Sequence, residues 1–225
     1  STDTRALSKG SLFVALRGEN HDAHDFIADA KQAGAAAVLV SRPVETSLPQ
    51  ILCADTQEAL AEFAAGMQQG RKAVVVALTG SNGKTSVKNL ITEILNRTGK
   101  TYSTPGNRNN EIGLPMAVLD APEDAEFAIY EMGAGKPGDI AYLCSIVAPQ
   151  VSVVNNIGSA HLERMGSLLG IAETKGAIYE ALSDDGVAVI NADDAFAPYF
   201  AQRVGRRRVF RYGIENDADI RATNI

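Results

Sequence analysis

Lys84 and Thr85 close a short glycine-rich run, Thr79-Gly80-Ser81-Asn82-Gly83-Lys84-Thr85, whose residue types suit a phosphate group. The apolar run Ala73–Leu78 precedes it, and a helical pattern follows with Val87, Leu90, Ile91, Ile94 and Leu95 on one face and Gly99 as a stop. Glycines let backbone N–H groups turn inward toward an anion, and a helix N-terminus adds positive potential. Lys84 can reach the β- and γ-phosphates of a nucleotide, and the Thr85 hydroxyl can ligate Mg²⁺. The run departs from the long form of the motif, whose first glycine would fall at Leu78. Three more residues could join this chemistry. Glu131 ends the apolar stretch Phe127–Tyr130, where a carboxylate would face the phosphate run and offer oxygens to Mg²⁺. His161 follows a strand-like Val151–Val154 and the pair Asn155-Asn156; it is a ligand or an ordinary surface histidine. Lys175 sits inside the stripe Leu168, Ile171, Ala172, Ile178, Tyr179 and Leu182. A lysine there either snorkels to water, the commoner outcome, or loses its proton through desolvation. A neutral amine can in principle take up carbon dioxide as an anionic carbamate.

These residues need a frame. Apolar runs alternate with helical patterns, as in an α/β protein with a mostly parallel sheet. Strands are expected at 12–16, 36–40 and 50–54, with helices near 24–33 and 56–68. The polar break Gln68-Gln69-Gly70-Arg71 suggests a domain boundary, giving a small α/β domain over 1–70 and a larger one over 71–225. The second series has strands near 73–78, 126–130, 150–154, 186–190 and 207–211, and helices near 85–97, 138–146, 167–182 and 193–203. A parallel sheet with helices on both faces would place the chemistry at its carboxyl edge. Arg206-Arg207-Arg208 reads as a solvated turn, and Asn191-Ala192-Asp193-Asp194 as a strand exit with an aspartate helix cap.

Composition narrows the function classes. The 225 residues are 45% hydrophobic and 21% charged, enough apolar material for a core. A net charge of −6 with no basic block argues against nucleic acid or an anionic membrane as partner. No apolar run approaches the length of a membrane span. Cys53 and Cys144 lack metal spacing and read as reduced core residues of a cytoplasmic protein.

With these residues assembled, the phosphate run resembles that of the Mur ligase family, ATP-dependent amide-forming enzymes of peptidoglycan synthesis. Thr104-Pro105-Gly106-Asn107-Arg108-Asn109-Asn110-Glu111-Ile112-Gly113-Leu114-Pro115, Glu131-Met132-Gly133-Ala134 and Ala160-His161-Leu162-Glu163-Arg164-Met165-Gly166-Ser167 resemble the members that add D-alanyl-D-alanine. Thr2-Asp3-Thr4-Arg5, Leu12–Gly18 and Asp22–Phe26 are similar to the family's amino-terminal UDP-binding domain. The resemblance implies that Gly80, Ser81, Asn82, Gly83, Lys84, Thr85 and Ser86 hold ATP, and that Thr85 and Glu131 hold Mg²⁺. It implies a second Mg²⁺ on His161 and a carbamylated Lys175, with Lys84, His161 and Lys175 serving catalysis. Thr2, Asp3, Thr4 and Arg5 would face the UDP portion, and Asn107, Asn109 and Asn110 the nucleotide-sugar peptide.

The reaction so implied joins a UDP-N-acetylmuramoyl-tripeptide to D-alanyl-D-alanine through an acyl phosphate, in a cytoplasmic monomer serving cell-wall growth. The family's members carry a third, carboxyl-terminal domain. The missing initial Met and the strand-like end at Ile225 lead to the expectation of a longer working enzyme, with both the amino-terminal and central domains truncated here. Other readings are a diamino-acid-adding relative, a folylpolyglutamate synthase, or a nucleotide switch that forms no bond.

Overall fold

The computed structural model describes residues 1–18, 21–159 and 162–224. The chain divides into two compact units, Ser1–Phe63 and Ala64–Ile225.

In the first unit, β1 (Leu12–Val14), β2 (Ala37–Val40) and β3 (Gln50–Leu52) form a parallel sheet in sequence order. Phe13, Ala15, Val38 and Val40 are buried together with Ile27 and Ala30 of α1 (Ile27–Gln32). The helix expected over 24–33 starts instead as a 3₁₀ turn, Ala23–Phe26, because the Asp22 carboxylate accepts the His24 amide and tightens the entry. Beyond Val14, the Ala15 carbonyl accepts the Thr56 hydroxyl at the start of α2 (Thr56–Gln69), so β1 is shorter than its apolar run. Cys144 is buried but Cys53 is only partly so, which corrects its reading as a core residue; both are free thiols.

The second unit is a seven-stranded parallel sheet ordered β10-β9-β8-β7-β4-β6-β5. Its strands are β4 (Val74–Thr79), β5 (Thr101–Ser103), β6 (Phe127–Glu131), β7 (Val151–Val154), β8 (Val187–Asn191), β9 (Arg208–Gly213) and β10 (Ile220–Arg221). The expected strands are present within two residues at each end, and four elements of this unit are new: β5, β10, α4 (Gly113–Asp120) and a short helix at Leu162–Met165. β4 lies between β6 and β7, so the order reverses beside it, and a parallel sheet opens a crevice at the carboxyl ends there. Val76, Leu78, Ile129 and Val153 form a core under Val87, Ile91 and Leu95 of α3 (Lys84–Leu95). Each such aliphatic side chain taken fully from water contributes about 1.5–3 kcal/mol.

α5 (Asp139–Val147), the short α6 (Leu162–Met165), α7 (Leu168–Glu180) and α8 (Ala197–Val204) complete the unit. α8 starts at Ala197 rather than 193, and its N-cap position Phe196 makes no side-chain cap bond. Asp193 instead accepts the backbone amides of Ile214, Glu215 and Asn216, and those bonds hold its carboxyl below the usual range. Asp194 accepts the amides of Ile157 and Phe196. Both aspartates therefore clasp loops, and the expected helix cap is corrected. Among the described residues no helix is long and apolar enough to cross a membrane.

Candidate active site

β4 delivers Thr79 and the phosphate run to the carboxyl edge, where Gly83, at φ 72°, turns the chain into α3. Gly83 supplies no side-chain cap, so the amides of the first helical turn point outward without intrahelical partners. Two amides expected to cradle an anion are already engaged. Ser81 N–H donates to the Asn156 carbonyl (2.9 Å) and Asn82 N–H to Asn156 Oδ1 (2.9 Å). The Ser81 hydroxyl is buried against Gly158, accepting its amide at 2.9 Å and lying 3.1 Å from its carbonyl. Asn155 Nδ2 donates to the Asn82 carbonyl at 2.8 Å. A Cβ at Gly80 would stand 2.9 Å from Asn155 Cβ, so the glycine is needed for close approach. The pair Asn155-Asn156 is thus the loop's buttress, a role the sequence reading left unassigned. Lys84 Nζ folds back onto the Gly80 carbonyl at 3.0 Å, over the hollow of the loop, and Ser86 is exposed on the first turn of α3.

Glu131 ends β6 beside this turn and is buried. Its Oε2 accepts the Thr85 hydroxyl at 2.9 Å, and its Oε1 accepts Asn109 Nδ2 at 2.9 Å. One carboxylate therefore touches both the phosphate run and the loop after β5. That pair of oxygens, hydroxyl and carboxylate, is a donor set suited to a hard cation such as Mg²⁺. Asn110 Oδ1 accepts the Gly113 amide and so shapes the entry to α4, while the Asn107 carbonyl accepts the Asn109 amide. Of the three asparagines, Asn109 is the one joined to Glu131.

α7 is fixed by Tyr179, whose buried hydroxyl accepts the Val154 amide and donates to the Val189 carbonyl. Lys175, one turn earlier, is 2% exposed, which overturns snorkelling as its reading. Its amine makes no hydrogen bond or ion pair among the described residues. Burial, helped by the charge of Lys84, lowers its pKa to about 8. Leu168, assigned to the same stripe, is 45% exposed at the helix start. His161 lies outside the described residues.

The residue the sequence reading missed is Lys88. On α3 the expected apolar face is rotated: Leu90 and Ile94 are 63% and 64% exposed, whereas Lys88 is 3% exposed. Its Nζ donates to the Thr104 carbonyl at 2.8 Å and stands 3.7 Å from Glu131 Oε2. Its register with Lys84, Ile91 and Leu95 was the available signal.

In the first unit, Asp3 caps the 3₁₀ turn Thr4–Ala6 and pairs with Arg5, its Oδ2 lying 2.6 Å from Arg5 Nη2. Thr2 is partly buried just ahead of this turn.

Known proteins share this architecture. The sequence profile described as "Mur ligase middle domain" matches residues 78–225, and "Mur ligase family, catalytic domain" matches residues 1–68. The UDP-N-acetylmuramoyl-tripeptide--D-alanyl-D-alanine ligase of Escherichia coli (strain K12) is 46% identical over 226 residues, covering 100% of this chain and 50% of that protein. The crystal structure of MurF from Acinetobacter baumannii superposes with a TM-score of 0.95 at 36% identity, covering 100% of this chain and 49% of that one. MurF ligase from Thermotoga maritima, solved in complex with ADP, gives a TM-score of 0.88 at 35% identity, over 96% of this chain and 50% of that one. The chain spans about half the length of the curated relatives it matches. With one profile running from β4 to the last residue and the phosphate run, Glu131 and the asparagine loop gathered at one sheet edge, the chain belongs to the Mur ligase family.

Proposed function

We propose that this chain supplies the UDP-binding and ATP-binding parts of a ligase that adds D-alanyl-D-alanine to a UDP-N-acetylmuramoyl-tripeptide. The observation that carries the reading is the Glu131 carboxylate, shared between Thr85 of the phosphate run and Asn109 of the neighbouring loop. Such sharing brings a nucleotide site and a second substrate's loop to one point, as transfer between two bound molecules requires. The likeness to a MurF ligase solved with ADP supports ATP as the nucleotide.

In this reading Gly80 to Ser86 surround the phosphates. The outward amides of the first turn of α3 and the Lys84 ammonium meet their charge. Thr85 and Glu131 would hold one Mg²⁺, which when bound neutralises phosphate charge that would otherwise repel an incoming carboxylate. Lys175 as an ammonium does not fit a cation site. As a neutral amine its nitrogen lone pair can attack carbon dioxide and release a proton, leaving a carbamate whose oxygens, with His161, suit a second Mg²⁺. The substrate's terminal carboxylate attacks the γ-phosphorus as the bond to ADP breaks. The acceptor amine then attacks the acyl carbon of the resulting acyl phosphate, and phosphate leaves with the C–O bond's electrons. Asn107, Asn109 and Asn110 face the peptide, and Thr2, Asp3, Thr4 and Arg5 the UDP portion. The protein acts as a cytoplasmic monomer on small molecules, with a further domain bringing the acceptor.

The test is phosphate release by the full-length protein with ATP, varying the nucleotide-sugar peptide and the dipeptide separately. Release that requires both is the expected result. Release indifferent to either one describes a nucleotide switch and overturns the reading.

A further inference from the structure

Lys88 is a buried cation that the proposed chemistry does not use. Burying an ammonium costs several kcal/mol unless charge and hydrogen bonds compensate it, so its partners indicate what it serves. They are the carbonyls of Thr104 (2.8 Å) and Gly106 (3.3 Å) and, at 3.7 Å, Glu131 Oε2. The two carbonyls flank Pro105 at the base of the loop that carries Asn107, Asn109 and Asn110. Thr104 is independently tied to β6, its amide donating to the Ile129 carbonyl and its hydroxyl oxygen accepting the Glu131 amide. Gly106, Asn107, Arg108 and Asn110 are exposed and Asn109 partly so, with Arg108 reaching out to Asp120 of α4 at 2.6 Å. The Gly133 amide meets the Asn109 carbonyl, Asn109 Nδ2 meets Glu131, and Lys88 meets Gly106.

We propose that Lys88 is a positioning residue that couples the Asn107–Asn110 loop to the nucleotide site, clamping the base of the loop to the carboxylate that also meets Thr85. The inference rests on the reading of the phosphate run as a nucleotide site. Lys88 follows Lys84 by one turn of α3, so any tightening of that turn around a phosphate is carried along the same helix face to the loop. Glu131 Oε2 adds a second link, since a cation drawn to it shares the oxygen with Lys88. Without the ammonium, Asn109 is the remaining side chain that joins the loop to the Glu131 carboxylate.

The experiment uses the chain with ADP and Mg²⁺, pairing calorimetric titration with amide hydrogen exchange. In the wild type, nucleotide is expected to slow exchange across 106–110 by about fivefold or more, the usual lower range of coupling between sites. K88M is expected to bind Mg·ADP and to lose that slowing. A residue that merely stabilises the fold would raise exchange in both states and leave the nucleotide-dependent slowing intact. K88Q, which keeps a polar group in the pocket should K88M not fold, carries the same expectation. Undiminished slowing in either variant, or none in a wild type that calorimetry shows to be nucleotide-bound, overturns the proposal. A wild type that binds no nucleotide removes the functional reading and the coupling together.

Discussion

Replacing Lys175 by Met should stabilise the protein. The side chain is buried in α7, and its pKa falls from 10.5 to about 8, chiefly because the ammonium loses its water and secondarily because Lys84 repels it. At about 1.4 kcal/mol for each tenfold, that fall is a cost of about 3 kcal/mol to the folded state. The pH dependence follows from its sign. The folded pKa lies below the unfolded one, so between about 8 and 10.5 the unfolded chain holds more protons and stability rises with pH. Below about 8 the full cost is present; above 10.5 it is gone. Methionine has similar length and no charge to desolvate. Thermal unfolding in buffers freed of carbon dioxide should therefore place K175M above the wild type by about 6–12 °C near neutral pH, at about 2–4 °C per kcal/mol. The gap should close as pH approaches 10.5. A K175M protein no more stable than the wild type near neutrality, or a gap indifferent to pH, would refute the argument.

Three other outcomes are expected. With ¹³C-labelled bicarbonate, the wild type should show a carbamate carbon resonance that K175M lacks; a resonance common to both would place the modification elsewhere, and none would remove it. In the full-length protein, K84A should lower kcat by about a hundredfold or more, the usual loss on removing one stabiliser of transition-state charge, and near wild-type ligation would contradict the role given to Lys84. G80A forces a Cβ to 2.9 Å from Asn155 Cβ. It should destabilise the fold by about 1–3 kcal/mol through overpacking and weaken Mg·ADP binding, read by urea unfolding and calorimetry; no change in either would show that the buttress is slack.

The parts legible in the sequence were those with long, regular patterns. β4, β6 and β8 open as apolar runs and β7 is broken only by Ser152, and the glycine run after β4 points to phosphate because a strand precedes it and a helix follows. β5 escaped because Thr101-Tyr102-Ser103 is short and polar at a sheet edge. α4 escaped because Gly113-Leu114-Pro115 reads as a breaker, although proline is tolerated in a first helical turn. Lys88 and Lys175 pose one problem with two answers. Each sits at core spacing on a helix and invites the expectation of a solvated head. For Lys88 the compensation comes from carbonyls and a carboxylate distant in sequence, which no local pattern reveals. For α3, burial by the sheet selected Val87, Ile91 and Leu95 over the equally apolar Leu90 and Ile94.

Asn155 ties the phosphate run to the far side of the sheet. It meets Asn82 directly, while its own carbonyl accepts Asn191 Nδ2 at 3.0 Å and the Tyr212 hydroxyl at 3.3 Å. A loop encoded at positions 79–85 therefore rests on side chains that leave the ribosome more than a hundred residues later. During synthesis the run is translated long before β7, β8 and β9 exist to support it. The support under the run is complete only once Tyr212 has arrived, so the shape of a loop made early waits on a sheet built through β9.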